Sequence, residues 1–265
     1  MDVTYLSKDK KTGRSAFLIR DSSPMFVNTL RRIMVAEVPT MAIEDVEFRK
    51  NSSILYDEMV AHRLGLIPLK TDLKTYNMIS ECKCNGEGCA KCTLKLTLKV
   101  TAKSDQVVTA EEIKSNDPKV VPVFPEMPIV YLLKGQQLEF EATAVLGRGK
   151  SHMKWSPALV YYKYKPMIEI LKQPKNAEAL AKVCPKAVYD ANKGKLSINK
   201  DNLYECHLCG ACVAAEDGVI KLNESDTDFV FYIESFGQLP TKQIVTEAFE
   251  IFDKKLDEFA EKIKG

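Results

Sequence analysis

The alternation of apolar and polar residues predicts strands in three parts of the chain. Near the amino terminus, Tyr5 and the apolar residues 17–19 flank a turn signal at residues 11–13, and this arrangement predicts an opening β-hairpin. Residues 94–146 favour strands again, with strict alternation at their start, and residues 229–233 predict a further strand. We expect the strands of the central region to pair antiparallel. With the helices described next, the pattern indicates the α+β class.

Two shorter segments have the spacing of amphipathic helices. In the first, Ser22 or Ser23 is the expected cap and Pro24 suits the first helical position. Its apolar face comprises Phe26, Leu30, Ile33 and Met34. The second helix is expected to have Asp57 as its cap and to end at Gly65. Its apolar positions are Met59, Val60 and Leu64.

A third, longer helix is predicted after Pro240. It extends for more than about twenty residues, which is roughly 30 Å at the usual rise per residue. Its apolar residues are spaced 4, 3, 4, 3 and 4, which is the spacing of a heptad seam. They are Val245, Phe249, Phe252, Leu256, Phe259 and Ile263. This spacing fits an ordinary amphipathic helix packed on its own domain as well as an interface with a partner.

Composition places the chain among globular proteins. Its 265 residues, 45% hydrophobic and 28% charged, suit two or three modest domains. Arginines interrupt the longest apolar stretches before the roughly 20 residues that a membrane span needs, and the amino terminus lacks a secretory apolar region. We therefore expect a cytoplasmic protein. The net charge of +2 argues against DNA contact as the main activity.

The most specific motif is a run of three cysteines. In the reducing cytoplasm, the chain's eight cysteines are better explained as metal ligands than as disulfides. Cys206, Cys209 and Cys212 have the C-x2-C-x2-C spacing by which ferredoxins hold three corners of a [4Fe-4S] cluster. In two-cluster ferredoxins the fourth ligand comes from a distant Cys-Pro, and this chain has one at Cys184. The spacing predicts one cluster in a ferredoxin-like insert.

Two alternatives remain for these four thiols. Four cysteine thiolates also suit structural zinc, although zinc sites usually pair two C-x2-C hairpins. If Cys184 does not coordinate, a [3Fe-4S] form is expected instead.

A second cysteine group lies upstream of the first predicted strand of the central region. Cys82, Cys84, Cys89 and Cys92 follow a C-x-C-x4-C-x2-C spacing, with glycines that permit a tight reversal. The spacing resembles a compact zinc knuckle, but two disulfides or free thiols are also compatible with it. Neither group forms part of a catalytic constellation, and we expect no catalytic residues in this chain.

Four stretches resemble a known family. NTLRRI at residues 28–33 is similar to the helix that builds the dimerisation domain of α-type subunits of cellular RNA polymerases. Residues 57–73, 152–164 and 229–259 resemble the archaeal α-like polymerase polypeptide called D, whose eukaryotic counterpart is the third-largest subunit of polymerase II. Together with the cysteine insert, the resemblance covers nearly the whole chain.

The resemblance implies a division into three parts. These are a discontinuous dimerisation domain at residues 1–42 and 223–265, an α-like insert domain at 43–165 that contains the Cys82 group, and a ferredoxin-like [4Fe-4S] domain at 166–222. It also implies zinc at the Cys82 group in eukaryotic relatives, a pattern that need not transfer to an archaeal chain.

The resemblance further implies a non-catalytic platform. The chain would pair with the small α-like subunit L and then hold subunits N and P and the two large subunits, which own the catalytic magnesium. The heptad seam would then serve the interface. The expected interface residues are Phe26, Leu30, Arg31, Arg32, Ile33, Val245, Phe249, Phe252, Leu256 and Phe259.

Two rival functions use the same cysteine run. One is a ferredoxin-like electron carrier or a redox enzyme subunit, which would more often retain two clusters or a nucleotide-binding fingerprint. The other is a redox-sensing scaffold in which oxidation of the cluster alters polymerase assembly.

Overall fold

The computed structural model describes residues 1–9 and 11–264, so that Lys10 and Gly265 lie outside the described residues. The chain divides into two compact units. The first contains Met1–Thr29 and Tyr161–Tyr232, and the second contains Leu30–Val160 and Ile233–Gly265. Both units are therefore discontinuous in sequence.

The helices and strands follow one another in mixed order. They are β1 (Asp2–Lys8), β2 (Ser15–Arg20), α1 (Pro24–Ala36), β3 (Pro39–Asn51), α2 (Asp57–Gly65), β4 (Thr93–Thr101), β5 (Gln106–Thr109), β6 (Lys114–Ser115), β7 (Pro128–Leu132), β8 (Gln137–Arg148), β9 (Ala158–Ile170), α3 (Ala177–Val183), β10 (Tyr189–Asn192), β11 (Lys195–Ile198), α4 (Ala211–Ala215), β12 (Ile220–Ser235) and α5 (Thr241–Lys264).

The first unit contains a four-stranded sheet in the order β1-β2-β12-β9. The predicted opening hairpin is confirmed, because β1 and β2 pair antiparallel with Tyr5 opposite Phe17. A small core of Ala16, Leu18, Val230 and Tyr232 lies on this sheet. The cysteine-bearing segment has its own core and a separate two-stranded hairpin, β10-β11.

The second unit contains a four-stranded sheet in the order β3-β8-β4-β6, whose pairings are antiparallel as predicted. In β4 the alternation holds, because Leu94, Leu96 and Leu98 are buried and the residues between them are exposed. These three leucines belong to an extensive hydrophobic core of the second unit, and Phe140 of β8 is among its fully buried side chains. The small sheet β5-β7 adds Val108 and other buried residues to the same core.

Helix α1 begins as predicted at Pro24, and the backbone N–H of Phe26 donates to Oγ of Ser23 at 3.3 Å. Leu30, Ile33 and Met34 are buried, as their spacing predicts. Val27 is also fully buried, which widens the apolar face beyond the predicted positions.

Helix α2 corrects two sequence predictions. Tyr56 occupies the cap position, and Asp57 is the first helical residue. The Asp57 carboxylate accepts a hydrogen bond from Nδ2 of Asn51 at 2.8 Å, and no side chain caps the helix. Val60 and Leu64 are buried as expected, but Met59 is 51% exposed because it lies on the solvent face of this short helix. The helix ends at Gly65 as predicted.

Close backbone approach explains a glycine at the end of β8. A Cβ at Gly149 would overlap the carbonyl oxygen of Val35 near the end of α1. The neighbouring Lys150 N–H donates to the carbonyl oxygen of Ala36 at 2.9 Å. Glycine is therefore required for this contact between the strand end and the helix end.

Candidate functional site

The four cysteines of residues 82–92 converge on one point. Their sulfur atoms all lie within 4.8 Å of one another. The Sγ atoms of Cys82 and Cys89 are 3.6 Å apart, as are those of Cys84 and Cys92, and Cys89 and Cys92 are separated by 3.8 Å. Neighbouring sulfurs around a tetrahedral zinc ion with Zn–S bonds of about 2.3 Å are about 3.8 Å apart. The group therefore has the dimensions of a single-ion site.

Tight turns produce this convergence. Asn85, Gly86 and Gly88 all have positive φ, and the sharp reversal between the two halves of the motif needs such residues. The Cys92 N–H donates to the carbonyl oxygen of Cys89 at 2.9 Å, and the Cys89 N–H points at the Cys92 sulfur at 3.2 Å. Backbone N–H groups aimed at a cysteine sulfur are typical of metal-binding loops.

The thiols of this group differ in acidity. The pKa of Cys84 is lowered to about 6, first by its hydrogen bond with the Cys82 side chain and then by the backbone N–H of Gly88. Burial raises the pKa of Cys92 to about 12. Cys84 is thus the more acidic thiol of the group and Cys92 the less acidic, and a bound cation would favour the thiolate form of both.

All eight cysteines are free thiols in the structure. An S–S bond is about 2.05 Å long, far shorter than the sulfur separations in the Cys82 group. The geometry there suits a metal ion and does not pair the thiols in disulfides.

The second predicted set also meets in one place. Cys184, Cys206, Cys209 and Cys212 line a single cleft in the first unit. Cys206 and Cys212 are buried, Cys184 is half-buried and Cys209 is exposed. Within the described residues, no three of these four sulfurs all lie within 4.8 Å of one another, in contrast to the sulfurs of the Cys82 group. The second set is therefore not grouped as tightly as the Cys82 group.

Local backbone geometry brings the cysteine run around this cleft. Leu208 and Gly210 both have positive φ, and Gly210 directly precedes the short helix α4, which carries Cys212. On the other side, α3 ends at Val183 and places Cys184 at its carboxyl end. The glycine allows the chain to curl between Cys209 and Cys212 without steric cost.

Sequence reasoning missed a tyrosine that contacts this set. The hydroxyl of Tyr189 donates to Sγ of Cys212 at 3.2 Å, and both side chains are buried. Burial and then this hydrogen bond raise the pKa of Tyr189. The two residues are 23 positions apart, and no motif in the sequence marks the pair.

Positive charge also lies near the run. Burial lowers the pKa of Lys163, while the charges of Glu205 and Cys206 oppose that shift. The Lys163 ammonium is 5.3 Å from the ring centroid of Tyr232, and the hydroxyl of Tyr232 donates to the carbonyl oxygen of Tyr204 at 3.0 Å. This cluster holds the segment before Cys206 against β12.

The seam residues of α5 become more exposed toward the carboxyl end of the helix. Ile244 and Ala248, on the neighbouring face of the helix, are buried. The seam residues Val245, Phe249 and Phe252 are half-buried. The last three are exposed: Leu256 by 49%, Phe259 by 64% and Ile263 by 68%. The carboxyl-terminal half of α5 thus presents a row of large apolar side chains to solvent.

The interface residues predicted on α1 are placed differently. Leu30 and Ile33 are buried, Phe26 and Arg31 are half-buried, and Arg32 is exposed. On this helix, Arg32 is the most accessible of the predicted interface residues.

Comparison with known proteins identifies the family. Residues 45–158 match the family model described as the RNA polymerase Rpb3/RpoA insert domain. The chain is 37% identical over 256 residues to DNA-directed RNA polymerase subunit Rpo3 of Methanosphaera stadtmanae, with 94% of each chain covered. It is 38% identical to Rpo3 of Methanosarcina acetivorans, covering 97% of this chain and 96% of the relative. The chain belongs to the Rpo3 family. Rpo3 of Archaeoglobus fulgidus is also similar, at 37% identity over 252 residues.

Family membership changes the interpretation of the site. The Rpo3 relatives named above are polymerase subunits, and they give the electron-carrier alternative no support. The Rpo3 match covers 97% of the chain. No helix in the described part of the chain is long and apolar enough to span a membrane.

Proposed function

We propose that this chain is the α-like D polypeptide of an archaeal-type DNA-directed RNA polymerase, a non-catalytic platform on which the other subunits assemble. The observation that carries the proposal is 37–38% identity over 94–97% of the chain to proteins named as polymerase subunits. A relationship that spans nearly the whole length supports a shared fold throughout the chain. We further propose that the protein acts in the cytoplasm, with little direct DNA contact.

The α5 seam supports a heterodimer with the small α-like subunit L. Exposed apolar residues at heptad spacing on a 24-residue helix are what a helical partner would cover. Phe259 and Leu256 would be buried in that interface, together with Val245, Phe249 and Phe252. The dimerisation domain is proposed to comprise residues 1–42 and 223–265, with the α-like insert domain at 43–165.

Zinc at the Cys82 group is supported by its geometry. Sulfur separations of 3.6–3.8 Å match the edges of a zinc tetrahedron. Cys82, Cys84, Cys89 and Cys92 would hold the ion, which would fix a segment that contains many turns and no long strand or helix.

An iron-sulfur cluster in the 166–222 insert is supported by spacing and by the cleft. A four-iron cube is larger than a single ion and needs a wider arrangement of ligands. Cys184, Cys206, Cys209 and Cys212 line one cleft without the tight grouping of the Cys82 sulfurs. The cluster, when bound, would stabilise a ferredoxin-like insert whose own core is small. A [3Fe-4S] form would use the three cysteines of the run.

The remaining partners follow from the family. Subunits N and P and the two large catalytic subunits would bind the heterodimer. Arg31 and Arg32 are proposed to lie near a large-subunit contact, and Arg32 is exposed as such a contact requires.

Anaerobic co-expression with the small α-like subunit tests the proposal. We expect a stable heterodimer, a brown colour, about four irons per chain and zinc in addition. A colourless monomer that contains only zinc would contradict both the dimer and the cluster. A heterodimer without iron would leave the platform function intact and refute the cluster alone.

A further inference from the structure

We propose that Tyr189 tunes the reduction potential of the cluster through its hydrogen bond to the Cys212 sulfur. The inference rests on the cluster proposed above, and it assigns a role to a residue outside the four ligands. Tyr189 is therefore a positioning residue. It acts on the cluster through the ligand Cys212 and does not bind the cluster itself.

The contact is enclosed within the insert. Tyr189 is 4% exposed and Cys212 is 7% exposed, and their Oη–Sγ distance is 3.2 Å. Tyr189 begins strand β10 and belongs to the same buried cluster as Leu180, Val188 and Cys206 in the core of the insert. A hydroxyl this deeply buried is directed by its surroundings, so the tyrosine is held in one orientation toward the sulfur.

The chemistry gives the hydrogen bond a direction of effect. The hydroxyl of tyrosine has a pKa of about 10, so it is protonated and acts as a donor at neutral pH. A ligand sulfur carries more negative charge when the cluster is reduced. A hydrogen bond to that sulfur therefore stabilises the reduced cluster more than the oxidised one and raises the reduction potential.

A second tyrosine provides a matched control. Tyr204 lies two positions before Cys206 and is half-buried in the same unit. Among the contacts of the described residues, its carbonyl oxygen accepts from Tyr232, and its hydroxyl makes no hydrogen bond to a cysteine sulfur. Tyr204→Phe thus removes a phenolic oxygen from the same unit without removing a contact to a ligand.

The test is a redox titration of the anaerobically purified full chain, followed by visible absorption and electron paramagnetic resonance. Wild type, Tyr189→Phe and Tyr204→Phe are compared at equal iron and sulfide content. We expect Tyr189→Phe to lower the ratio of reduced to oxidised cluster at a fixed potential by roughly three- to tenfold, where tenfold corresponds to about 59 mV for a one-electron couple. Tyr204→Phe should titrate like wild type.

A Tyr189→Phe protein that retains its cluster and titrates like wild type would overturn the inference, because a merely space-filling tyrosine predicts that result. An equal shift in Tyr204→Phe would overturn it as well. If Tyr189→Phe loses the cluster, the same titration is carried out on wild type labelled with 3-fluorotyrosine. The fluorinated phenol is more acidic and is therefore a stronger hydrogen-bond donor. We expect the reduction potential of the labelled protein to rise. An unchanged or lowered potential in the labelled protein would refute the role. A wild-type chain without iron would instead refute the proposed cofactor.

Discussion

Replacing Phe259 by alanine separates a role of α5 in an interface from a role in the fold of the chain itself. The Phe259 side chain is 64% exposed in the isolated chain, so its removal takes little apolar surface out of the core. We expect the free energy of unfolding of the isolated chain to change by less than about 0.5 kcal/mol, as is usual for surface substitutions.

The effect on the heterodimer should be much larger. Complete burial of a phenylalanine side chain stabilises by roughly 1.5–3 kcal/mol. Because about two thirds of the ring remains to be buried, the interface would lose roughly 1–2 kcal/mol, which weakens binding of the small α-like subunit by about five- to thirtyfold.

Isothermal titration calorimetry with the purified small α-like subunit measures this difference, and urea denaturation of the isolated chain measures its stability. Glu261→Ala is the matched control: Glu261 is also exposed on α5, but it lies about 200° around the helix from Phe259. Equal affinities for wild type, Phe259→Ala and Glu261→Ala would refute the assignment of the seam to the interface.

Three further predictions concern the metal sites and the second unit. Elemental analysis should show that Cys92→Ser loses zinc and keeps iron, whereas Cys206→Ser loses iron and keeps zinc; loss of both metals in either variant would contradict two independent sites. Gly149→Ala should lower the melting temperature in a thermal scan, because its Cβ would overlap a carbonyl oxygen of α1; an unchanged value would contradict that close approach. The pKa of Asp72 is lowered to about 2, first by the hydrogen bond from Lys119, so its charge stabilises the fold above about pH 4 and progressively less as the pH falls toward 2. Urea denaturation should therefore show a larger loss of stability from Asp72→Asn at pH 6 than at pH 3, and equal losses would contradict the ion pair.

Much of the fold was predictable because the decisive signals are local. The hairpin of β1 and β2 follows from a turn between apolar runs, and Pro24 with Ser23 sets the start of α1. The alternation in β4 identifies its buried face without knowledge of its neighbours. In each case the residues that decide the structure are adjacent in sequence.

The failures come from contacts that sequence spacing does not encode. Asp57 is a residue type that often caps helices, but it is the first helical residue here, and its carboxylate accepts a hydrogen bond from Asn51 on the preceding strand. The spacing of Met59 predicts a core residue, but its side chain is exposed because the helix is too short to bury its whole apolar face. Tyr189 of β10 donates to Cys212 of α4 although the two residues are 23 positions apart, so only the folded insert brings them together.

The candidate sites, like the fold, were predictable only in part. The cysteine spacing predicted both groups, because short intervals between ligands restrict where the thiols can point. The three-dimensional grouping was not predictable. The tight convergence of Cys82, Cys84, Cys89 and Cys92 depends on backbone turns such as that at Asn85, and the looser set around the cleft at Cys184 depends on turns such as that at Gly210.

Reconstitution of the polymerase from separately purified subunits tests the platform function most directly. With this chain present, we expect the small α-like subunit and the two large subunits to join one particle that transcribes DNA, as judged by native mass spectrometry and RNA synthesis. When this chain is omitted, neither the particle nor the activity should form. A complete and active polymerase assembled without this chain would contradict the account.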